Sequence, residues 1–169
     1  HPLAAAYVDA VNAFYGRGDV PVGAVRDGKT PADSKFLPLA TIMDDGQPRY
    51  PHRLQSGADA PEAVGLLRRI LATQPDASVM MVQVGFSTNL ARLLESPPDD
   101  ASPLSGRDLV QQKTRGLAIM AGAFTPINGN PRYLEYNVIK DIPAAQKLAK
   151  DWPTRIIWSG FEIGIAAAY

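Results

Sequence analysis

Apolar residues follow two patterns along the chain: recurrence at helical spacing, and short unbroken runs. Leu3, Tyr7, Val11 and Phe14 recur at helical spacing and predict an amphipathic first helix over Leu3 to Tyr15, with Gly16 as its stop. Val20 to Val25 reads as a short buried strand, and residues 26 to 60, rich in Asp, Gly, Pro and Lys, resist assignment. Asp59-Ala60-Pro61-Glu62 opens a second helix whose apolar face is Val64, Leu67, Ile70 and Leu71. The run Ser78 to Val84 is nearly continuous, as in a strand covered on both faces. Helical spacing resumes over Thr88 to Glu95 and, after a Pro- and Ser-rich loop at 97 to 106, over Asp108 to Thr114. Gly116 to Met120 and Arg155 to Trp158 are further strands, with a helix between them capped by Asp141 and running through Lys150. Alternating strands and helices predict an α/β fold with a mainly parallel open sheet, helices on both faces and right-handed crossovers. No linker or repeat interrupts the pattern, so residues 1–169 read as a single α/β domain.

Composition narrows the chemistry. With 17 basic and 17 acidic residues, no net field attracts nucleic acid. The absence of cysteine excludes disulfides, thiolate metal sites and a cysteine nucleophile. No apolar run suggests a membrane span, and the amino terminus His1-Pro2-Leu3-Ala4 shows no signal-peptide pattern, so a soluble protein is expected, cytoplasmic or exported. His52 has no Gly-x-Ser-x-Gly elbow to serve, and neither a Walker loop nor a Gly-x-Gly-x-x-Gly fingerprint occurs.

In a parallel sheet, ligands bind beyond the carboxyl ends of the strands. Two segments lie there: Gly85 to Leu90, and the long loop from Ala121 to Asn137. In an extended segment Glu135 and Asn137 would face one volume, an acceptor beside an amide, which suits a polyhydroxylated ligand such as a sugar. Each candidate also has an ordinary reading. Glu135 alone reads as a solvated acid, Ser87 or Thr88 as an N-cap, Met120 as core filler, and Asp44-Asp45-Gly46 as a turn rather than a cation site.

The order of these pieces adds more. Val84-Gly-Phe-Ser-Thr-Asn-Leu-Ala91, Ala118-Ile-Met-Ala-Gly-Ala-Phe124, Gly129-Asn130, Glu135-Tyr-Asn137 and Asp141-Ile-Pro-Ala-Ala145 succeed one another. The series resembles the inosine–uridine nucleoside hydrolase family, whose stretches read close to G-P-L-T-N-L-A, M-G-G-A-F, G-N, E-F-N and D-P-E-A-A. The resemblance is densest over residues 78 to 145. It implies a Rossmann-like fold and hydrolysis of the N-glycosidic bond of ribonucleosides by a calcium-held water. Thr88 matches the position that offers its carbonyl to calcium, and Met120, Asn130, Glu135 and Asn137 match residues around the ribose, with Asn128 a rival to Asn130. The implied partner is a nucleoside or ribose-like molecule, and a homo-oligomer is compatible with it.

The sequence also departs from the family. Its D-x-D-x-x-x-D-D segment, which supplies metal acids and the general base, does not occur in the 169 residues, nor does the late His-Asp pair. Ala121 replaces the first glycine of M-G-G. The expectation is a middle portion of a longer domain, truncated at both ends and inactive alone. The alternative is a non-catalytic ribose- or nucleoside-binding module.

Overall fold

In the computed structural model, which describes residues 1–30 and 34–167, α1 runs over Ala4–Phe14 and stops at Gly16, whose φ of +69° suits glycine. The helix lies where periodicity placed it, but its buried face differs. Ala5, Ala6, Asp9 and Ala10 are buried, whereas Val11 is 38% and Phe14 70% exposed. Small side chains let the backbone approach its neighbours, and Asp9 fixes it there. The Asp9 carboxylate accepts the N–H groups of Arg53 (2.6 Å) and Leu54 (3.0 Å) and bonds Arg53 Nη2 (3.0 Å). Burial tends to raise this carboxyl, but donors from Leu54 and Arg53 outweigh it and hold it below its ordinary value. The apolar stripe Tyr7, Val11 and Phe14 instead lines a groove of about 240 Å³ with Leu39, Ala40 and Tyr50.

The chain divides into two units, His1–Leu66 and Leu67–Tyr169. In the first, the strand expected at Val20 to Val25 does not form. Its only ladder contact is an isolated bridge, Ala24 to Glu62, because Pro21 has no N–H and the partner segment is itself a short connection. Met43–Asp44 and Gln47–Pro48 make a two-residue hairpin, β1 and β2. Asp45 and Gly46 form its turn at positive φ, as the turn reading expected, and Asp44 pairs with Arg49 at 2.7 Å. The second helix, α2, spans Ala63–Ala72 and so begins after Asp59 and Pro61. Asp59 closes a separate turn at Gly57–Asp59, and the Glu62 carboxylate receives the Gly65 N–H at 2.9 Å. On α2, Val64 and Leu71 are buried as expected, but Ile70 is exposed and Arg68 takes the buried place. Arg68 lies four residues after Val64 and three before Leu71, on the same helical face.

The second unit is a three-stranded parallel sheet ordered β3-β4-β5, from Val79–Gln83, Thr114–Met120 and Arg155–Ser159. Helices α3 (Thr88–Glu95) and α4 (Gly106–Lys113) connect the first two strands, and α6 (Ile142–Asp151) precedes the third. This is the Rossmann-like α/β arrangement expected. Between α4 and α6 lies the single turn α5 (Tyr136–Ile139), and α7 (Phe161–Ala166) follows β5. α3 packs on both α4 and α6, so these helices share one face of the sheet. That face buries Met81, Gln83, Leu117 and Ile119. On the other face Val82 is 70% and Ile157 45% exposed, so β3 is not covered on both sides within this unit. No helix of the described residues is long and apolar enough to cross a membrane.

Helix α4 meets α3 at Gly106. A Cβ there would lie 1.7 Å from the Leu93 carbonyl oxygen, and the Gly106 N–H already donates to Ser96 O at 2.8 Å. Backbone, not a flexible side chain, blocks the space. Gly106→Ala should therefore cost about 1–3 kcal/mol, the usual range for forced overpacking. Urea denaturation of the variant checks this; an unchanged midpoint would show that α4 shifts freely on α3.

Candidate functional site

Beyond Met120, at the carboxyl end of β4, Ala121 N–H still donates to Ser159 O of β5 at 3.1 Å. The chain then turns at Gly122 with φ +80°, a conformation costly for any residue with a Cβ. The turn aims the Gly122 N–H at the Glu135 carboxylate, 3.1 Å away.

Glu135 is only 4% exposed, so the solvated-acid reading fails. It is not in an extended segment either. Glu135 is the N-cap of α5, and its carboxylate accepts the N–H groups of Asn137 (2.9 Å) and Val138 (3.1 Å) besides that of Gly122. The Glu-x-Asn spacing thus works through a helix start, where the first amides are unsatisfied and converge on an acceptor. Asn137 still joins the cluster. Its Nδ2 donates to Met120 O (3.3 Å) and approaches Met120 Sδ (3.1 Å). Met120, Glu135 and Asn137 are therefore brought together as a unit. Met120 is half-buried at the strand end, not core filler.

The β3–α3 connection reaches the same end of the sheet. The Phe86 and Tyr136 rings meet at 5.6 Å between centroids, seating this connection against the start of α5. Ser87 occupies the N-cap position of α3 but makes no side-chain cap bond; its Oγ accepts from Gln83 Nε2 at 3.1 Å. Thr88, buried in the first turn, donates its hydroxyl to Asp141 Oδ2 at 2.5 Å. Asp141 also caps α6 through the Ala144 N–H, as expected, while its own N–H donates to Val138 O. Asp141 thereby ties Thr88 to α5, a link that a sequence reading of it as a cap alone misses.

Asn130 makes its hydrogen bonds within its own turn. It ends a turn that starts at the buried Ile127 and is carried by exposed Asn128 and Gly129 at positive φ, and its Oδ1 accepts the Arg132 N–H at 2.9 Å. Its rival Asn128 is in the same turn.

The arrangement is a polar cluster at the carboxyl ends of adjacent parallel strands, built on a buried carboxylate whose three partners are backbone N–H groups rather than a cation. A carboxylate has about four acceptor sites, and these N–H groups take three of them. No curated protein matches the sequence. The profile described as inosine-uridine preferring nucleoside hydrolase does match, over residues 4–164; with nearly its whole length inside that match, the chain belongs to the inosine–uridine preferring nucleoside hydrolase family.

Proposed function

We propose that this chain supplies the ribose-recognising side of an N-ribosyl hydrolase site, with Met120, Glu135 and Asn137 around the sugar. The observation that carries this reading is the buried Glu135 carboxylate, held in place by three N–H donors with acceptor capacity to spare. Sugar hydroxyls need fixed acceptors, and a carboxylate oriented before binding loses little freedom on binding. With Nδ2 committed to Met120, Asn137 has its Oδ1 to offer as a second acceptor. Asn130, exposed at the end of its own turn, is proposed as a further contact to the sugar.

Calcium is the family's implied cofactor, and Thr88 is proposed to offer it a carbonyl. Calcium commonly takes six to eight oxygens. Among the described residues no group of three or more His, Asp or Glu side chains is placed to hold a metal ion. Asp141, the acid beside Thr88, already receives the Thr88 hydroxyl and the Ala144 N–H. These residues do not fit a calcium sphere by themselves, and no catalytic step is assigned to them through one. The general base is likewise assigned to no residue of this chain.

The test is a titration of the chain with inosine, uridine and D-ribose, run beside a ribose-release assay with and without calcium. Saturable nucleoside binding, displaced by D-ribose and without turnover, is the expected result. Nucleoside binding that D-ribose does not displace would remove the sugar from this cluster. Clear turnover would show that the catalytic acids are present after all.

A further inference from the structure

We propose that Glu162 is a positioning residue for the Glu135 site, acting through the turn at Gly122 to Phe124; the proposal rests on that site being the functional one. Glu162 lies in the first turn of α7, directly after β5, at the same end of the sheet as Glu135. Its carboxylate oxygens share the Phe124 N–H at 3.2 and 3.3 Å. In the reverse direction, the Phe161 N–H donates to Gly122 O at 2.9 Å. The Tyr133 and Phe161 rings stack at 5.0 Å with an interplanar angle of 21°, a further tie between the same loop and the start of α7.

The turn is therefore held between two carboxylates. Glu135 takes the Gly122 N–H, and Glu162 takes the Phe124 N–H two residues later. A glycine at φ +80° has many other conformations open to it. External contacts fix this one, and the orientation of Glu135 depends on where Gly122 presents its N–H.

A second observation shows how closely Glu162 is fitted. A Cβ on Gly160 would lie 2.4 Å from both Glu162 carboxylate oxygens. The carboxylate folds back over residue 160 into space that only a hydrogen leaves open. Gly160 itself has φ −75° and ψ 164°, an ordinary extended conformation for alanine. Gly160→Ala would thus push the carboxylate away without imposing backbone strain of its own.

Residue-resolved amide hydrogen exchange on the 169-residue chain tests this without any ligand. In Glu162→Ala and in Gly160→Ala, the Phe124 and Gly122 amides should exchange about tenfold faster, the scale of one lost hydrogen bond to a charged group. Amides of α3 and α6 should be unchanged. Glu162→Gln keeps an acceptor and should restore most of the Gly122 protection. Faster exchange at Phe124 alone would overturn the proposal, since the contact would then be local. Equal acceleration across α3 and α6 would overturn it too, by showing general destabilisation, and Glu162→Gln decides if the alanine variants fail to fold. D-ribose titrations of the same variants should show several-fold weaker binding in both alanine variants; unchanged affinity would overturn the positioning role. If the wild-type chain binds no D-ribose, the proposed function falls, while the Gly122 exchange rate still decides whether Glu162 governs the turn.

Discussion

Arg68→Ala should lower the stability of the unit Leu67–Tyr169 by about 3 kcal/mol, the low end of what removing one partner of a buried ion pair costs. Arg68 is 2% exposed, and its guanidinium organises the whole 96–105 connection. It forks onto Asp99 (2.7 and 2.9 Å) and donates to Ser96 Oγ (2.9 Å), Ser102 O (3.2 Å) and Leu104 O (2.9 Å). Truncation leaves those acceptors without their donor and opens a void. The low end is appropriate because Asp99, 39% exposed, can be rehydrated. Arg68→Lys should recover little, since an ammonium cannot reproduce the planar fork. There is also a pH signature. The Arg68 guanidinium holds the Asp99 carboxyl below its ordinary value. The stabilisation is therefore present above about pH 4 and lost as pH falls through the lowered value. Arg68→Ala should remove that acid-side slope. Urea denaturation at pH 7 and at acid pH measures both effects, and a change within about 0.5 kcal/mol would show that the connection holds itself.

Arg68 also shows where the sequence was and was not legible. Periodicity marked α2, and buried positions at Val64 and Leu71 were correct, but an arginine on that face carries no apolar signal. Its partner is thirty-one residues away, and such pairing cannot be read from local pattern. The same limit explains α1. Its alanines and Asp9 were passed over for Tyr7, Val11 and Phe14, because size suggests burial whereas close packing here selects smallness. Strands β3, β4 and β5 and helices α3, α4 and α6 were legible within a residue or two, since each has its own period or cap. What failed was cover. The run Ser78 to Val84 was read as enclosed on both faces, yet Val82 is 70% exposed.

At the candidate site, the residues that cluster were legible and the geometry was not. The strand-end rule and the ordered motifs pointed to Met120, Glu135 and Asn137, and these three do converge beyond β4. The spacing argument reached that result through an extended segment that is in fact a helix start. Glu162 was missed although Gly160-Phe161-Glu162 stands at the end of β5, where the same strand-end rule points. Only its contact with Phe124, thirty-eight residues away, marks it.

Glu135→Ala should weaken binding of inosine, uridine and D-ribose alike, by roughly ten- to a hundred-fold, the equivalent of one hydrogen bond to a charged group. The loss should be independent of the base because the proposed contact is to the sugar. Glu135 also caps α5, so the same substitution leaves the N–H groups of Gly122, Asn137 and Val138 without their acceptor and should lower stability. Binding and unfolding must therefore be measured on the same variant. Glu135→Gln sharpens the test. Oε1 now receives one N–H, from Asn137, and Oε2 receives two, from Gly122 and Val138. An amide placed there keeps one oxygen, and its NH₂ must face at least one of those donors, so glutamine is not a neutral replacement. It also lacks the charge that would steady positive charge developing on the sugar during hydrolysis. Glutamine should thus bind D-ribose more weakly than glutamate while unfolding less easily than alanine. A Glu135→Ala chain that stays folded and binds all three ligands with wild-type affinity would take Glu135 out of the site and leave it a helix cap alone.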